Sequence, residues 1–402
     1  MSIIKRDAYL AKVEKFIGKD IIKVFIGQRR VGKSYLLKAT INHILNKLPH
    51  ANIIFIDKEL YDYDHIKTYH DLIDFVENKL MPETNNFLFI DEIQEISDFQ
   101  KALRHFQNKR SADIYISGSN ADMLSGELAT LLSGRYIEIN VNSLSYLEFL
   151  EFHQLKDDDE SLFKYLKWGG LPYIKNIEKS DEVIFEYLKN ILSTIVYKDI
   201  LHRYKIRNVD FFDRLILYTA SNVGNLITSK KISDYLKSQK VDISTRVVLT
   251  YLQYLKNAFL LHKLNRVDVH SKKVFEINNK YYFEDWGLRN ALIGINRYSV
   301  PDILENIVFS HLKFLGYKLS VGVLKNLEID FIAEKSDEKI YIQVAYLITD
   351  EKVKQREFGN LLQIKDNYPK YVVSLDSVQL SQIHGVKHIH LREFLTKKRF
   401  DI

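Results

Sequence analysis

Four short runs near the start of the chain are apolar almost throughout and end on polar or acidic residues: IIKVFIG (21–27), NIIFID (52–57), FLFIDE (87–92) and DIYISGSN (113–120). Unbroken apolarity over so few residues suits strands of a parallel sheet, buried on both faces. Between the first two, YLLKATINHILNKL carries its apolar residues at helical spacing. This alternation predicts an α/β core over residues 1–142. After it the period changes. YLKNILSTIVYKDILHRY (187–204) places Leu188, Ile191, Leu192, Ile195 and Val196 at i, i+3, i+4, i+7 and i+8, one face of an amphipathic helix. Gly169-Gly170-Leu171-Pro172 reads as a helix stop. Residues 143–222 are therefore expected to form a helical connector.

The pattern changes twice more. In 223–300, KKISDYLKS predicts a short helix, and Ser244 is a good N-cap for TRVVLTYLQYLKNAFL, where Val248, Leu252, Leu255 and Phe259 share a face. The β-prone runs FLLHKL and KKVFEINNKYYFED follow, as the hairpin of a winged helix would. In 301–402 a helix, ILENIVFSHLKFLGY, precedes KLSVGV, LEIDFIAEK and KIYIQVAYLI. Helix, strand, strand with an acid, and strand with a central polar residue is the order of restriction-endonuclease-like folds.

Composition narrows the classes. The 402 residues include no cysteine, which excludes disulfides and thiolate metal sites. No apolar run approaches the roughly 20 residues that span a bilayer, and the charged opening MSIIKRDAYLAKVEKF is unlike a signal peptide. A soluble cytoplasmic protein with no membrane partner is the expectation. The net charge is +6 and unevenly placed: residues 1–142 hold 19 basic and 19 acidic side chains, whereas 223–282 hold 11 basic against 4 acidic. That segment is where a polyanion could be held.

The chemistry begins at Gly27-Gln28-Arg29-Arg30-Val31-Gly32-Lys33-Ser34, followed by Tyr35. A glycine loop between a strand and a helix is the context that GxxxxGK[ST] requires. Its N–H groups and the helix start would cradle the phosphates of ATP, with Lys33 reaching the β/γ oxygens and Ser34 holding Mg2+. Asp91, at the end of FLFIDE, would bind the magnesium through water, and Glu92 would polarise the attacking water. Ser117, Ser119 and Asn120 are placed just past the next strand, with Asn120 the first candidate for contacting the γ-phosphate or the water. Arg135, after a helix-like stretch closing on Ser133-Gly134, is a candidate finger for a neighbour's site. Arg29 and Arg30 are expected to face outward.

Together, GQRRVGKS, FLFIDEIQEI, ISGSNADMLSGELATLLSGRYIEI, LSYLEFL and WGGLPY resemble the large prokaryotic family of AAA-class ATP-binding proteins with an uncharacterised C-terminal region. The resemblance spans the chain. It implies a magnesium-dependent ATPase whose core is followed by a helical lid.

For the remainder two uses compete. As a DNA reader, the second helix of the winged helix would offer Thr245 and Arg246 at its N-terminal end, while Lys230, Lys231, Lys272 and Lys273 neutralise phosphates. Winged helices also make protein contacts. In the last segment Glu305, Asp330 and Gln343 match the acid, D and (D/E/Q) positions of a metal nuclease, and Glu328 is a further carboxylate. The lysine position of that motif is Ala345, which favours a degenerate, nucleic-acid-binding fold over an active nuclease or a structural or oligomerisation module. Lys339 could substitute only by migrating. The leading expectation is an ATP-hydrolysing protein that engages DNA through its C-terminal half as a homo-oligomer, a hexamer if it forms a ring and works as a remodelling or helicase-like motor. The alternative is a STAND-like switch in which nucleotide state gates a partner or effector.

Overall fold

The computed structural model describes residues 6–124, 134–238, 243–348, 350–376 and 382–400. Two compact units divide the chain: residues 1–141 with 257–259, and residues 142–256 with 260–402.

The first unit is a five-stranded, wholly parallel sheet. Its strands are β1 (Ile22–Ile26), β2 (Asn52–Asp57), β3 (Asn86–Asp91), β4 (Asp113–Gly118) and β5 (Tyr136–Asn140), in the order β2-β3-β4-β1-β5. The helices α1 (Asp7–Glu14), α2 (Lys33–Lys47), α3 (Tyr69–Glu77) and α4 (Phe99–Lys109) accompany it. Burial on both faces is why the four sequence runs are apolar throughout: Val24, Ile26, Ile56, Leu88, Ile90 and Ile116 share one core with Leu103 and Phe106 of α4. The order places β1 between β4 and β5, so the loops leaving β1, β3 and β4 meet at the carboxyl edge. Ser117 lies inside β4, not past it. One lysine breaks the apolar rule: Lys23, buried on β1, is neutralised by Asp113 and lies over the Tyr115 ring, 5.0 Å from its centroid.

The second unit begins with α5 (Tyr146–His153), α6 (Asp159–Trp168) and α7 (Asp181–Thr194). Side chains of Ser145, Asp158 and Ser180 cap their N-termini. The helix expected over 187–204 is not uniform, because α7 passes into a π-helical stretch, Ile195–His202. The Thr194 hydroxyl bonds back to the Asn190 carbonyl (2.9 Å) at that point, and the wider turn buries Asp199, Ile200 and Leu201 together. Then come α8 (Val209–Ser221), α9 (Ser229–Ser238) and α10 (Thr245–Asn257), with the Ser244 hydroxyl accepting from the Val247 N–H as an N-cap (3.4 Å).

An eight-stranded mixed sheet completes this unit. It comprises β6 (Leu261–Asp268), β7 (Val274–Phe283), β8 (Lys318–Leu324), β9 (Leu327–Lys335), β10 (Glu338–Val344), β11 (Lys370–Ser374), β12 (Gln382–Ile383) and β13 (Val386–His390), in the order β12-β13-β11-β10-β9-β8-β6-β7. The helices α11 (Trp286–Ile293), α12 (Val300–Phe314), α13 (Glu351–Leu362) and α14 (Leu391–Thr396) accompany it. The hairpin assigned from sequence to a wing is thus the end of the C-terminal sheet: Arg266–Asp268 of β6 pair in parallel with Val321–Val323 of β8. The sheet runs across the boundary expected at 300/301.

WGGLPY has a structural role in this unit. The Gly170 N–H donates to Asp285 Oδ2 (2.8 Å), the Trp286 indole to the Tyr165 carbonyl (2.8 Å) and the Asn290 amide to the Leu166 carbonyl (3.0 Å). The adjacent Glu284 carboxylate accepts the Ser143 N–H (3.0 Å). Gly169 (φ +79°) could not carry a side chain, because a Cβ there would lie 2.3 Å from Asp285 Oδ1. Gly169→Ala is expected to destabilise the full chain by about 3 kcal/mol, from overpacking plus left-handed backbone strain. Gly294→Ala, at a similar φ (+75°) but with nothing within 4 Å, incurs only the backbone part, about 2 kcal/mol. Thermal and urea unfolding of the two variants separate the contributions.

Candidate active site

At the end of β1 the chain turns on Gly27, whose φ is +156°; a Cβ there would lie 2.2 Å from the Val141 carbonyl oxygen. Arg30 (φ 70°) and Gly32 (φ 99°) are left-handed, and the latter opens α2. This backbone forms the cradle that the phosphate-loop pattern predicts. Val31 is buried and its carbonyl accepts from the Arg6 guanidinium (3.1 Å). Tyr35 projects outward from the first turn of α2.

Lys33 is 4% exposed. Its ammonium donates to the carbonyls of Gly27 and Gln28 (3.1 Å each) and stands 3.8 Å from Glu92 Oε1. The Ser34 hydroxyl hydrogen-bonds Asp91, which also accepts from Ser117. Burial pushes the Asp91 carboxyl up from its ordinary value, partly offset by those two hydroxyls. Glu92 follows in a left-handed conformation (φ 55°), its N–H bonded to the Ser117 hydroxyl (3.0 Å). Burial alone would raise the Glu92 carboxyl, but the fields of Lys33 and Arg29 and hydrogen bonds from Gln94 and Ser119 hold it below 4.5.

These residues fit a magnesium-bound nucleotide. Gly27 has no room for a side chain, the Ser34–Asp91 pair is a hard-oxygen set of the kind magnesium takes, and the fully buried Gln28 amide makes no hydrogen bond among the described residues. Two expectations change. Arg29 does not face outward: it is 6% exposed and bonded to Glu59 Oε1 (3.0 Å), drawn inward by that acid and by Glu92, while Arg30 is exposed. After β4, Ser119 hydrogen-bonds Glu92 (3.1 Å), and Asn120 is buried with its oxygen accepting the Asp122 N–H (2.7 Å).

Arg135 is exposed at the opposite edge of the sheet. It immediately precedes β5, and its carbonyl accepts the N–H of Ile22, the first residue of β1. The helix-like stretch before it falls within 125–133, outside the described residues.

The six side chains expected at DNA are all exposed. Lys230 and Lys231 lie on α9, Thr245 and Arg246 at the start of α10, and Lys272 and Lys273 in the turn between β6 and β7.

The candidate nuclease residues do come together. Asp330 on β9 receives the Val344 N–H (2.9 Å), the Gln343 amide oxygen lies 3.4 Å from the Asp330 nitrogen, and Glu305 on α12 faces them. The space between them belongs to Lys280 of β7. Its ammonium contacts Glu305 Oε1 (2.8 Å), Glu328 Oε1 (2.8 Å) and Asp330 Oδ1 (3.1 Å), and Tyr282 donates to Glu305 (2.6 Å). Burial disfavours a charged Lys280, but the carboxylates outweigh it and hold it protonated. The residues therefore do not fit a metal ion, and among the described residues no three His, Asp or Glu side chains converge to hold one. Lys339 has not migrated toward them; it lies over the rings of Tyr341 and Tyr368.

Sequence reasoning missed Gln94 and Lys280, and it named Arg29 but turned it the wrong way. Ile90 of β3 pairs with Ile116 of β4, which sets Asp91 level with Ser117, and that register could have been inferred from the two runs. Nothing in the local pattern around Lys280 pointed to Asp330, fifty residues away.

A family model described as an AAA domain matches residues 19–150, and one described as a domain of unknown function matches 159–299. A Walker-type ATPase of Pyrococcus abyssi shares the fold, with a TM-score of 0.52 at 18% identity over 72% of this chain and 95% of that one. No helix among the described residues is long and apolar enough to cross a membrane. An uncharacterized protein of Haemophilus influenzae is 37% identical, covering 98% of this chain and 99% of its own, and one of Methanocaldococcus jannaschii is 31% identical over 93% and 86%. The chain thus belongs to the same family as these two proteins, and its N-terminal domain is an AAA-class P-loop ATPase domain.

Proposed function

We propose that the N-terminal unit hydrolyses ATP with magnesium and that the helix pair and hairpin turn of the second unit engage DNA. The observation that carries the hydrolytic part is Glu92: buried, held ionised by Lys33 and Arg29, and oriented by Ser119 and Gln94. Bound magnesium would neutralise charge on the phosphates. Lys33, freed from two neutral carbonyls, supplies its ammonium to the phosphate oxygens. Ser34 and Asp91 orient one another as hard-oxygen donors. Glu92 accepts the proton of the attacking water, and its depressed pKa keeps it in the base form.

Arg135 fits an intermolecular role. Five residues of β1 at about 3.3 Å each place it roughly 15 Å from its own phosphate loop, beyond an arginine's reach. A finger role for Arg135 therefore requires the nucleotide of a second copy, and on that reading the protein works as an oligomer. The DNA reading rests on the exposed cations around α9, α10 and the β6–β7 turn, which lie in the segment holding 11 basic against 4 acidic residues.

Four outcomes are expected. Glu92→Gln lowers the ATPase rate about 100-fold or more while retaining nucleotide binding, whereas Lys33→Ala loses binding. Since the Glu92 carboxyl is held below its ordinary value by Lys33 and Arg29, the wild-type rate shows no acid limb between about pH 5 and 8; a limb in that window removes Glu92 as the base. Arg135→Ala abolishes turnover but binds nucleotide, and mixing it with Lys33→Ala restores activity, because each copy supplies what the other lacks. DNA affinity falls steeply with salt, and Lys230→Ala/Lys231→Ala flattens the log–log slope by about 2. A slope near zero in wild type rejects DNA engagement.

A further inference from the structure

The geometry points to Lys280 as the resident cation of the C-terminal carboxylate centre, a side-chain ammonium standing among the acids that a nuclease of this strand order would give to a metal, so that the centre is a closed structural clasp that cleaves no phosphodiester. A lysine ammonium has three donors and no acceptor. Here the three have three acceptors, Glu305 Oε1, Glu328 Oε1 and Asp330 Oδ1, at 2.8, 2.8 and 3.1 Å. Lys280 is 3% exposed along its side chain, and Glu305 and Asp330 are 14% and 9% exposed; only Glu328, at 32%, reaches the surface. No donor remains for a phosphate, and no carboxylate can turn to a divalent cation without leaving one N–H of the buried ammonium unsatisfied and bringing a second cation beside it.

The acids come from two elements distant in sequence, α12 and β9, and the lysine from a third, β7. The bonds therefore staple the hairpin to the rest of the sheet. Tyr282, two residues on and on the same face of β7, adds its hydroxyl to Glu305 (2.6 Å). Val344 on β10 fixes the other Asp330 oxygen through its N–H. Ala345, where the nuclease motif would have lysine, is 5% exposed and packs in the apolar core with Ile329 and Tyr341. The charge absent there is supplied by β7, in a position that saturates the acids instead of activating water.

The test uses the full-length, nucleotide-free chain. Lys280→Met in EDTA is expected to lower the melting temperature by on the order of 10 °C, while Lys280→Arg, which keeps the charge, retains most of it. Adding Glu305→Gln to Lys280→Met recovers part of the loss, because one uncompensated carboxylate is removed. Manganese raises the melting temperature of Lys280→Met but not of Lys280→Met/Asp330→Asn. Manganese affects wild type and Asp330→Asn alike, and neither nicks supercoiled plasmid with magnesium or manganese. A wild-type nicking activity abolished by Asp330→Asn, or a Lys280→Met protein as stable in EDTA as wild type, overturns the inference. Should Lys280→Met alone fail to fold, the Lys280→Met/Glu305→Gln protein carries the test: it is expected to recover a cooperative melting transition, and a double variant that folds no better than Lys280→Met also overturns the inference.

Discussion

A lysine ammonium withdrawn from water must be surrounded by acceptors, because the desolvation of an unpaired buried charge costs several kcal/mol. This chain buries Lys23, Lys33 and Lys280 almost completely and Lys313 in part. Each draws acids or carbonyls from remote parts of the sequence. Lys23 holds Asp113 across two neighbouring strands, and Lys33 sits among the loop carbonyls with Glu92 beyond. Lys313 meets Glu284 (2.6 Å), which also takes the His262 ring nitrogen (2.5 Å) and the Ser143 N–H. The Glu284 carboxyl is buried, yet Lys313 and His262 bring it down to about 2. Within each unit, the strands and helices are held at those points by charge as well as by apolar packing.

The apolar pattern made the first unit legible because a parallel sheet buried on both faces leaves uninterrupted runs, and acids at their ends must fall on the carboxyl edge. The phosphate loop, Asp91 and Glu92 were readable for that reason. Arg29 was not, because the loop pattern constrains backbone and says little about which way a long side chain turns once two acids compete for it. The division of labour between Ser119 and Asn120 was likewise hidden, since it depends on which residue the strand's pleat aims at Glu92.

In the second unit the helices and strands themselves were legible but their grouping was not. KKVFEINNKYYFED reads as half of an isolated hairpin because period and turn residues report neighbours only a few positions away. Its pairing with the sheet runs through β6 and β8, more than fifty residues apart, and is fixed by burial of the intervening faces. Ala345 stands where the nuclease pattern has lysine, and the charge that meets the carboxylates enters instead from a strand that precedes the motif in sequence.

Lys33 and Lys280 show how one functional group is set for opposite ends. Lys33 spends two donors on neutral carbonyls and stays 3.8 Å from Glu92, contacts that a polyanionic ligand can outbid because a charge-assisted bond is about twice as strong as a neutral one. Lys280 spends all three donors on carboxylates within 3.1 Å. An incoming phosphate offers Lys280 nothing it lacks and would leave three acids uncovered. Burial and sequence type do not separate these two lysines. What does is the charge of the atoms already bonded to them, which leaves the first free to exchange partners and the second fixed as part of the sheet.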